Sequence, residues 1–563
     1  MTIAEFISLR LKQLSCTHVF GVVGTSCSDF VDVLEKDDGI SFISTVNELE
    51  AGYMADGFGR QGGIGAAVVS YGVGTLSMIN AVASAMTERA PMIVINGGPR
   101  DSDYEIQEEL GVLFSHSMGQ GRTDVNVFAN VTVAQEEIRK LENAAERIDR
   151  LFRAAMQKSA PVYLEVPQDL WLEKLDTYEE VFSQETNVQS EMTDVITSRI
   201  DYMLRRAKKP AILLGAELIR FNMLDKAIAF SEKHKIPFYG TLLSKGKIPE
   251  DHLLFSGIYD SDLAPADITK RLEDSDLIVA LGCIMGIDQL HLVKKTQDIM
   301  FRIGFGEARH KQEVFGEVNL DHVIDKLNAL PVYSGENGYP VWAVSGMTYT
   351  ERRENWINKT FPGESWRNDW GHDTIIKAVA DFLSQSDEDH LLALDTCLAS
   401  FPGADIPLEE GDEFLSNPVW LSIGQGTPAS VGAYFAHKKR PLIITGDGGF
   451  QMVSQTFSTM VQHNIPAIIV IIDNGSYAIE QFLIDGSYFK DHEAEPLSYT
   501  NLNAWKYENM PQIYNGGIGH RVHSYDELSR VLTHAKSITD RPVVIVADIP
   551  RRDLPAENRA LLQ

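Results

Sequence analysis

Short, nearly unbroken apolar runs recur along this chain, and they constrain its fold more than any other feature. Ala66–Ser70, Met92–Asn96, Val162–Val166, Ala211–Leu214, Leu277–Leu281, Leu442–Thr445, Ala467–Ile472 and Val543–Ala547 each hold four to six residues, many of them β-branched. Runs of this length without polar alternation fit parallel strands buried on both faces, because helices cover both sides of such a sheet. Many of the stretches between them show helical spacing. Val453, Phe457, Met460 and Val461 would share one face of a helix after Gly449. The alternation predicts an α/β protein with doubly wound parallel sheets.

At 563 residues the chain exceeds one core, and roughly 150 residues per domain implies three or four. Two segments interrupt the strand–helix pattern. The stretch from about Glu173 to Asp194 is polar and acidic; that from about Val344 to Trp370 is rich in charge and tryptophan. Read as linkers, they divide the chain into three α/β domains, at 1–185, 186–345 and 346–563.

Composition sets further limits. A hydrophobic content of 44% and a charged content of 23% belong to an ordinary soluble globular protein. The formal net charge of -29 argues against nucleic acid as a partner, since phosphates would be repelled. Acidity alone is otherwise a solubility trait. The four cysteines, Cys16, Cys27, Cys283 and Cys397, show no metal-ligand spacing and read as reduced and intracellular. No secretory signal is visible, and no apolar run approaches the roughly 20 residues of a membrane span. The expectation is a cytoplasmic protein that engages neither membrane nor nucleic acid.

The most informative stretch runs Thr445-Gly446-Asp447-Gly448-Gly449-Phe450 and closes with Ile472-Asp473-Asn474-Gly475-Ser476-Tyr477. Its first part follows an apolar strand and precedes a helix, at the sheet edge where open α/β folds bind ligands. Glycines on both sides of Asp447 let the backbone turn sharply and approach a ligand. The helix N-terminus offers N–H groups to a phosphate. Mg²⁺ takes oxygen ligands and shares phosphate oxygens. Asp447 can supply a carboxylate, Asn474 a side-chain carbonyl and Ser476 a backbone carbonyl. A lone Gly-Asp-Gly is usually a turn; the second strand and the closing Asn make the pattern specific.

This pattern resembles the signature of thiamine diphosphate (ThDP) enzymes, with Asp473 standing where many relatives have a first Asn. The segment Asn47-Glu48-Leu49-Glu50-Ala51-Gly52-Tyr53-Met54-Ala55-Asp56-Gly57-Phe58-Gly59-Arg60 resembles the same family's glutamate motif. By itself Glu48 would be a first-turn charge partner, worth under about 1 kcal/mol. The resemblance implies that Glu48 activates the cofactor's aminopyrimidine ring. Ser70-Tyr71-Gly72-Val73-Gly74-Thr75 resembles the loop against the pyrimidine, which assigns Ser70, Gly72 and Val73 to cofactor binding together with Gly24. Ser422-Ile423-Gly424 resembles the segment whose apolar wedge bends the cofactor into a V. Ile423 is the candidate wedge, with Leu421 and Thr396 beside the cofactor. Gly446, Gly448, Gly449, Tyr477, Ala478 and Ile479 complete the cofactor set.

Several ThDP families share these elements. Tyr477-Ala478-Ile479-Glu480 resembles the pyruvate and indolepyruvate decarboxylases, in which this glutamate assists CO₂ loss and proton transfer. The resemblance therefore implies non-oxidative decarboxylation of a 2-oxo acid, with Glu480 catalytic. Two positions depart from that group. Val22-Val23-Gly24-Thr25 places Thr25 where an Asp is usual, and Phe114-Ser115-His116 keeps the second histidine of a pair while Ser115 replaces the first. A lone loop histidine is more often solvated than catalytic, but His116 sits inside a matching segment. Thr25, Ser115 and His116 fall among the groups that protonate the enamine. The replacement of the usual Asp and first His by Thr25 and Ser115 predicts either aldehyde release or transfer to an acceptor aldehyde or ketone, forming an acyloin. Leu398 stands where relatives carry an acid, and Asp395-Thr396 keeps the acid-Thr start. A redox role for Cys27 finds no activating neighbour in the sequence.

The resemblance further implies that the first domain binds the pyrimidine and the last the diphosphate, that cofactors lie between subunits, and that a homodimer is the minimum unit, with a tetramer common. Alternative readings are an acetolactate synthase type that also binds FAD, and a silent ThDP-binding regulatory subunit. A nicotinamide dehydrogenase lacks its Gly-x-Gly-x-x-Gly.

Overall fold

The computed structural model describes residues 1–175, 191–332, 348–363 and 365–562. All eight apolar runs named above form strands, most of them extended by a residue or two. The first sheet contains β1 (His18–Gly21), β2 (Ser41–Ser44), β3 (Gly65–Ser70), β4 (Met92–Gly98), β5 (Gln135–Glu137) and β6 (Pro161–Pro167). Its order is β2-β1-β3-β4-β6-β5, parallel throughout. The second contains β7 (Pro210–Leu214), β8 (Phe238–Thr241), β9 (Phe255–Tyr259), β10 (Leu277–Leu281), β11 (Met300–Gly304), β12 (Gly306–His310) and β13 (Glu313–Val318). The third contains β14 (His390–Leu394), β15 (Glu413–Ser416), β16 (Arg440–Gly446), β17 (Ile468–Asp473), β18 (Ile518–Val522) and β19 (Val543–Asp548).

The third sheet runs β15-β14-β16-β17-β19-β18, repeating the strand order and the all-parallel pairing of the first. The order reverses beside β1 and again beside β14, which opens a crevice beyond the strand C-termini at each place. The second sheet departs from pure parallel pairing: β12 and β13 form an antiparallel hairpin against β11. Its interrupted burial, alternating along the end of β12 and one residue in three along β13, hides it from a search for unbroken apolar runs.

The chain packs as two compact units. One comprises Met1–Glu185 with Thr427–Lys438 and Val453–Ile465; the other comprises Thr186–Gly426, Lys439–Met452 and Pro466–Gln563. In the first, Phe30 stacks on Trp171 at 5.2 Å, and the Trp171 indole donates to the Ser26 carbonyl at 2.7 Å. In the second, one apolar cluster is continuous from Ile212 and Leu281 to Leu392, Ile444 and Val470.

Three expectations need correction or limits. The segment from Val344 to Trp370 is more than a linker: it carries a helix, Tyr349–Thr360, capped by the Thr348 hydroxyl, which accepts from the Glu351 N–H at 3.3 Å. Its dense charge masked the helical spacing. The helix after Gly449 is two helices, Asp447–Val453 and Thr456–Gln462, broken at Ser454 and Gln455, although Val453, Phe457 and Met460 are all buried. The expected domain limits at 185/186 and 345/346 lie outside the described residues; a helix begins at Glu191, inside the first expected linker. Among the described residues no helix is long and apolar enough to cross a membrane.

Candidate functional site

In the second unit, a cleft opens at the C-terminal ends of β14, β16 and β17. It is lined by Thr396, Ile423, Gly446, Asp447, Gly448, Gly449, Asn474, Ser476, Tyr477, Ala478 and Ile479, all singled out from sequence. Cys397 and Leu398 join them, with Ile472 and His372. His372 had no sequence signal; its Nδ1 lies 2.7 Å from Asp553, 181 residues away. Leu421 stands outside this lining, 42% exposed and in the left-handed region.

Asp447 begins the helix Asp447–Val453 and is 3% exposed. Its Oδ1 accepts from the Gly448 N–H at 2.8 Å and its Oδ2 from Gly475 at 2.7 Å. Burial pushes this carboxyl up to about 7, against those two N–H groups, which pull it down. No basic side chain pairs with it among the described residues. Asn474 Oδ1 accepts from Ser476 N–H at 3.1 Å, and the Ser476 carbonyl accepts from Ala478 N–H at 2.8 Å. Each carbonyl oxygen keeps a second lone pair. The described residues contain no cluster of three or more His, Cys, Asp or Glu suited to a metal. The donor set is one buried carboxylate with amide oxygens, which suits a hard cation that shares ligands with a phosphate. A buried carboxylate without a countercharge is costly, and such a cation would offset that cost.

Asp395, at the end of β14, shapes the cleft from beneath. Its carboxylate accepts from the N–H groups of Gly424 at 3.0 Å and Gly426 at 3.3 Å, and from the Thr445 hydroxyl at 2.7 Å. It thereby holds the turn that carries Ile423, and burial raises its pKa. Burial likewise pushes the Cys397 thiol up to about 12, which keeps it un-ionised. Glu480, on the helix Ala478–Ile484, is exposed and outside the cleft lining.

In the first unit, the other predicted residues gather at the C-terminal ends of β1 and β3. Gly24 and Cys27 bond each other through the Cys27 thiol at 3.4 Å, and Ser26 donates to the Ser70 hydroxyl at 3.0 Å. Cys27 is fully buried and its pKa is raised by that burial, so it is an inert packing thiol. Thr25 is exposed beside them. Glu48 opens the helix Glu48–Arg60, whose N-cap Asn47 accepts from Glu50 N–H at 2.9 Å. Farther along it, Arg60 is buried and paired with Asp56 at 2.9 Å and with Glu88.

The Glu48 carboxylate approaches Gly74: a Cβ there would lie 3.6 Å from its Oε1. On the other side of the same turn, a Cβ at Gly72 would come within 2.9 Å of the His116 Cβ. Gly72 has φ of +67°, so both the conformation and the close approach require glycine. His116 is exposed, also left-handed, with its ring edge-on to Tyr71 at 5.5 Å. Val73, on the turn, is 57% exposed, and Ser115 is exposed as well.

A larger cavity of about 690 Å³ in the second unit contains none of the predicted residues. Its basic groups are largely satisfied from within: Lys245 and Arg352 by Glu250, Arg271 and Lys359 by Asp267.

Three family models match the chain. They are the thiamine pyrophosphate enzyme N-terminal TPP binding domain over residues 1–120, the central domain over 198–300 and the C-terminal TPP binding domain over 399–547. The chain is 27% identical to a pyruvate decarboxylase of Aspergillus terreus, an alignment covering 98% of this chain and 95% of that one. It is 24% identical to an alpha-keto-acid decarboxylase of Mycolicibacterium paratuberculosis, with the same coverage. It is 28% identical to pyruvate decarboxylase 2 of Arabidopsis thaliana, over 98% of this chain and 89% of the relative.

Proposed function

The chain belongs to the thiamine diphosphate (thiamine pyrophosphate)-dependent 2-oxo acid decarboxylases, and from that premise we propose that it takes CO₂ from a 2-oxo acid with Mg²⁺ bound beside ThDP. The remaining fragment leaves as an aldehyde or is joined to a second aldehyde or ketone as an acyloin. The observation that carries this reading is Asp447, a buried carboxylate without a basic partner among the described residues, in a cleft walled by glycine backbone.

When bound, ThDP supplies the carbon nucleophile and the electron sink that loss of CO₂ requires. The chain's own groups then have separate tasks. Asp447, Asn474 and the Ser476 carbonyl would hold the metal, whose charge would favour binding of the diphosphate. Ile423, kept in place by Asp395, would pack its apolar side chain against the bound cofactor. Glu48 would hold a proton for the pyrimidine ring, and the turn Gly72–Val73 would support that ring. His116 and Glu480, both exposed in the single chain, serve proton transfer to the reacting carbon, with Thr25 and Ser115 supplying hydroxyls where an ionisable pair is usual. A homodimer as the minimum active unit is part of this proposal, and so is the cytoplasm as its site; the four free cysteines support the latter.

The test is to incubate the protein with ThDP, Mg²⁺ and a panel of 2-oxo acids, with and without added aldehydes. CO₂, aldehyde and acyloin are counted together, and Glu48→Gln serves as the control. CO₂ balanced by aldehyde assigns a simple decarboxylase, and CO₂ balanced by acyloin a carboligase. Absence of CO₂ from every acid, in protein that binds ThDP tightly, would overturn the proposal.

A further inference from the structure

The turn Gly72–Thr75 separates Glu48 from His116, so whatever fixes this turn fixes the spacing of two residues with different tasks. Its anchor comes from far along the chain. Asp124, in the helix Thr123–Phe128, is 7% exposed. Its Oδ2 accepts from the Gly72 N–H at 2.6 Å and from the Thr75 hydroxyl at 2.5 Å. Bonds to a buried carboxylate are the strong kind. No basic side chain pairs with Asp124 among the described residues; the neighbouring Arg122 is taken by Glu137 at 2.9 Å. The charge is therefore met by the turn itself. Thr75 is fully buried and its hydroxyl also lies 3.3 Å from the Gly72 carbonyl, which closes the turn on itself.

We propose that Asp124 is a positioning residue of the pyrimidine half of the site, its single oxygen Oδ2 clamping the Gly72–Thr75 turn between Glu48 and His116. The clamp acts before any ligand arrives, because its bonds are internal to the chain. Gly72 lies tight against His116 and Gly74 lies in contact range of Glu48, so a shift of the turn changes the surroundings of both residues. Loss of the clamp thus loosens both residues together, and a small misplacement is costly to catalysis. The inference rests on the functional reading above for the roles of Glu48 and His116, while the clamp itself is a property of the apo chain.

Because both bonds end on one oxygen, asparagine can keep them through its side-chain carbonyl, whereas alanine loses both. In cofactor-free protein, hydrogen exchange at the Gly72 amide is expected to accelerate in Asp124→Ala and to return close to wild type in Asp124→Asn. ThDP affinity, followed by tryptophan fluorescence, should fall about tenfold or more in the alanine variant and within about twofold in the asparagine variant. On a 2-oxo acid that is turned over, kcat should fall more than KM rises. Should Asp124→Ala not fold, Thr75→Val removes one bond while keeping shape, and the same losses are expected at smaller size, with Thr75→Ser restoring them. Unchanged Gly72 exchange and ThDP affinity in Asp124→Ala, or in Thr75→Val if that variant is used, would overturn the proposal. A wild-type protein without decarboxylase activity would instead sink the functional reading and leave the exchange test standing.

Discussion

The Arg521 guanidinium lies 2.9 Å from the Asp473 carboxylate, at the end of β17 and one residue before Asn474. The same guanidinium reaches Glu508 at 3.0 Å and Asp548 at 3.2 Å, so one cation holds three carboxylates that β17, β19 and a nearby turn bring together. This pairing explains how an acid is tolerated so close to Asp447, at a position where the family resemblance leads one to expect Asn.

Removing the cation should therefore hurt more than removing the acid. Arg521→Met leaves three carboxylates facing one another; since the site is about a quarter exposed, solvent screening limits the loss to roughly 1–2 kcal/mol. Asp473→Asn should cost less than about 1 kcal/mol. Urea unfolding of both variants checks the order, and an equal or reversed order would show that the network does not explain the departure.

Asp395→Asn places an amide group among three donors that now point at oxygen. One or two of the bonds from Gly424, Gly426 and Thr445 are lost, with an expected destabilisation of about 2–3 kcal/mol. Because the turn carrying Ile423 loosens, ThDP affinity should fall about tenfold as well, equivalent to about 1.4 kcal/mol. Calorimetric binding beside thermal unfolding would separate the two effects; stability lost with affinity intact would free Asp395 of any part in shaping the cleft.

A methyl group at Gly448 would lie 2.4 Å from the Tyr477 ring. Gly448→Ala should therefore push Tyr477 across the cleft and weaken ThDP binding by an order of magnitude or more. Gly475→Ala is the contrast: its added carbon meets nothing within 4 Å, but φ is +67°, so the cost is backbone strain of about 1 kcal/mol. Equal ThDP affinities in the two variants would contradict this account.

Glu165 is 3% exposed, and burial pushes its carboxyl from 4.5 to about 7, with the Glu137 and Asp124 charges adding to the rise and the Tyr163 and Asn96 hydrogen bonds opposing it. The folded chain therefore keeps this proton up to about pH 7, while the unfolded chain releases it near 4.5. Stability from this group is lost as pH rises through that window and is fully lost above it. Glu165→Gln removes the titration. Relative to wild type, the variant should gain up to roughly 3 kcal/mol between pH 4.5 and pH 8. Urea unfolding at the two pH values measures the gain, and a difference that does not change with pH would place the Glu165 proton release outside that window.

Strands and the cleft at Asp447 were legible in the sequence because both are local. A parallel strand buried on two faces reads as an apolar run, and the Gly446–Gly449 turn announces itself by composition. The hairpin β12–β13 and the helix Tyr349–Thr360 were not legible, because alternating or charge-rich patterns resemble loops when their partners are unknown.

What the sequence determined by itself was the α/β class, the edge at which Asp447 and Asn474 meet, and the helix that begins at Glu48, since each rests on residue types at short spacing. Only the tertiary structure decided that Asp124 grips Gly72 across 52 residues, that Asp395 holds Gly424 across 29, and that Arg521 neutralises Asp473 across 48. A buried carboxylate must find its donors somewhere, but spacing along the chain does not say where. That choice is made by which strand ends and helix starts the packed sheets bring within about 3 Å of one another.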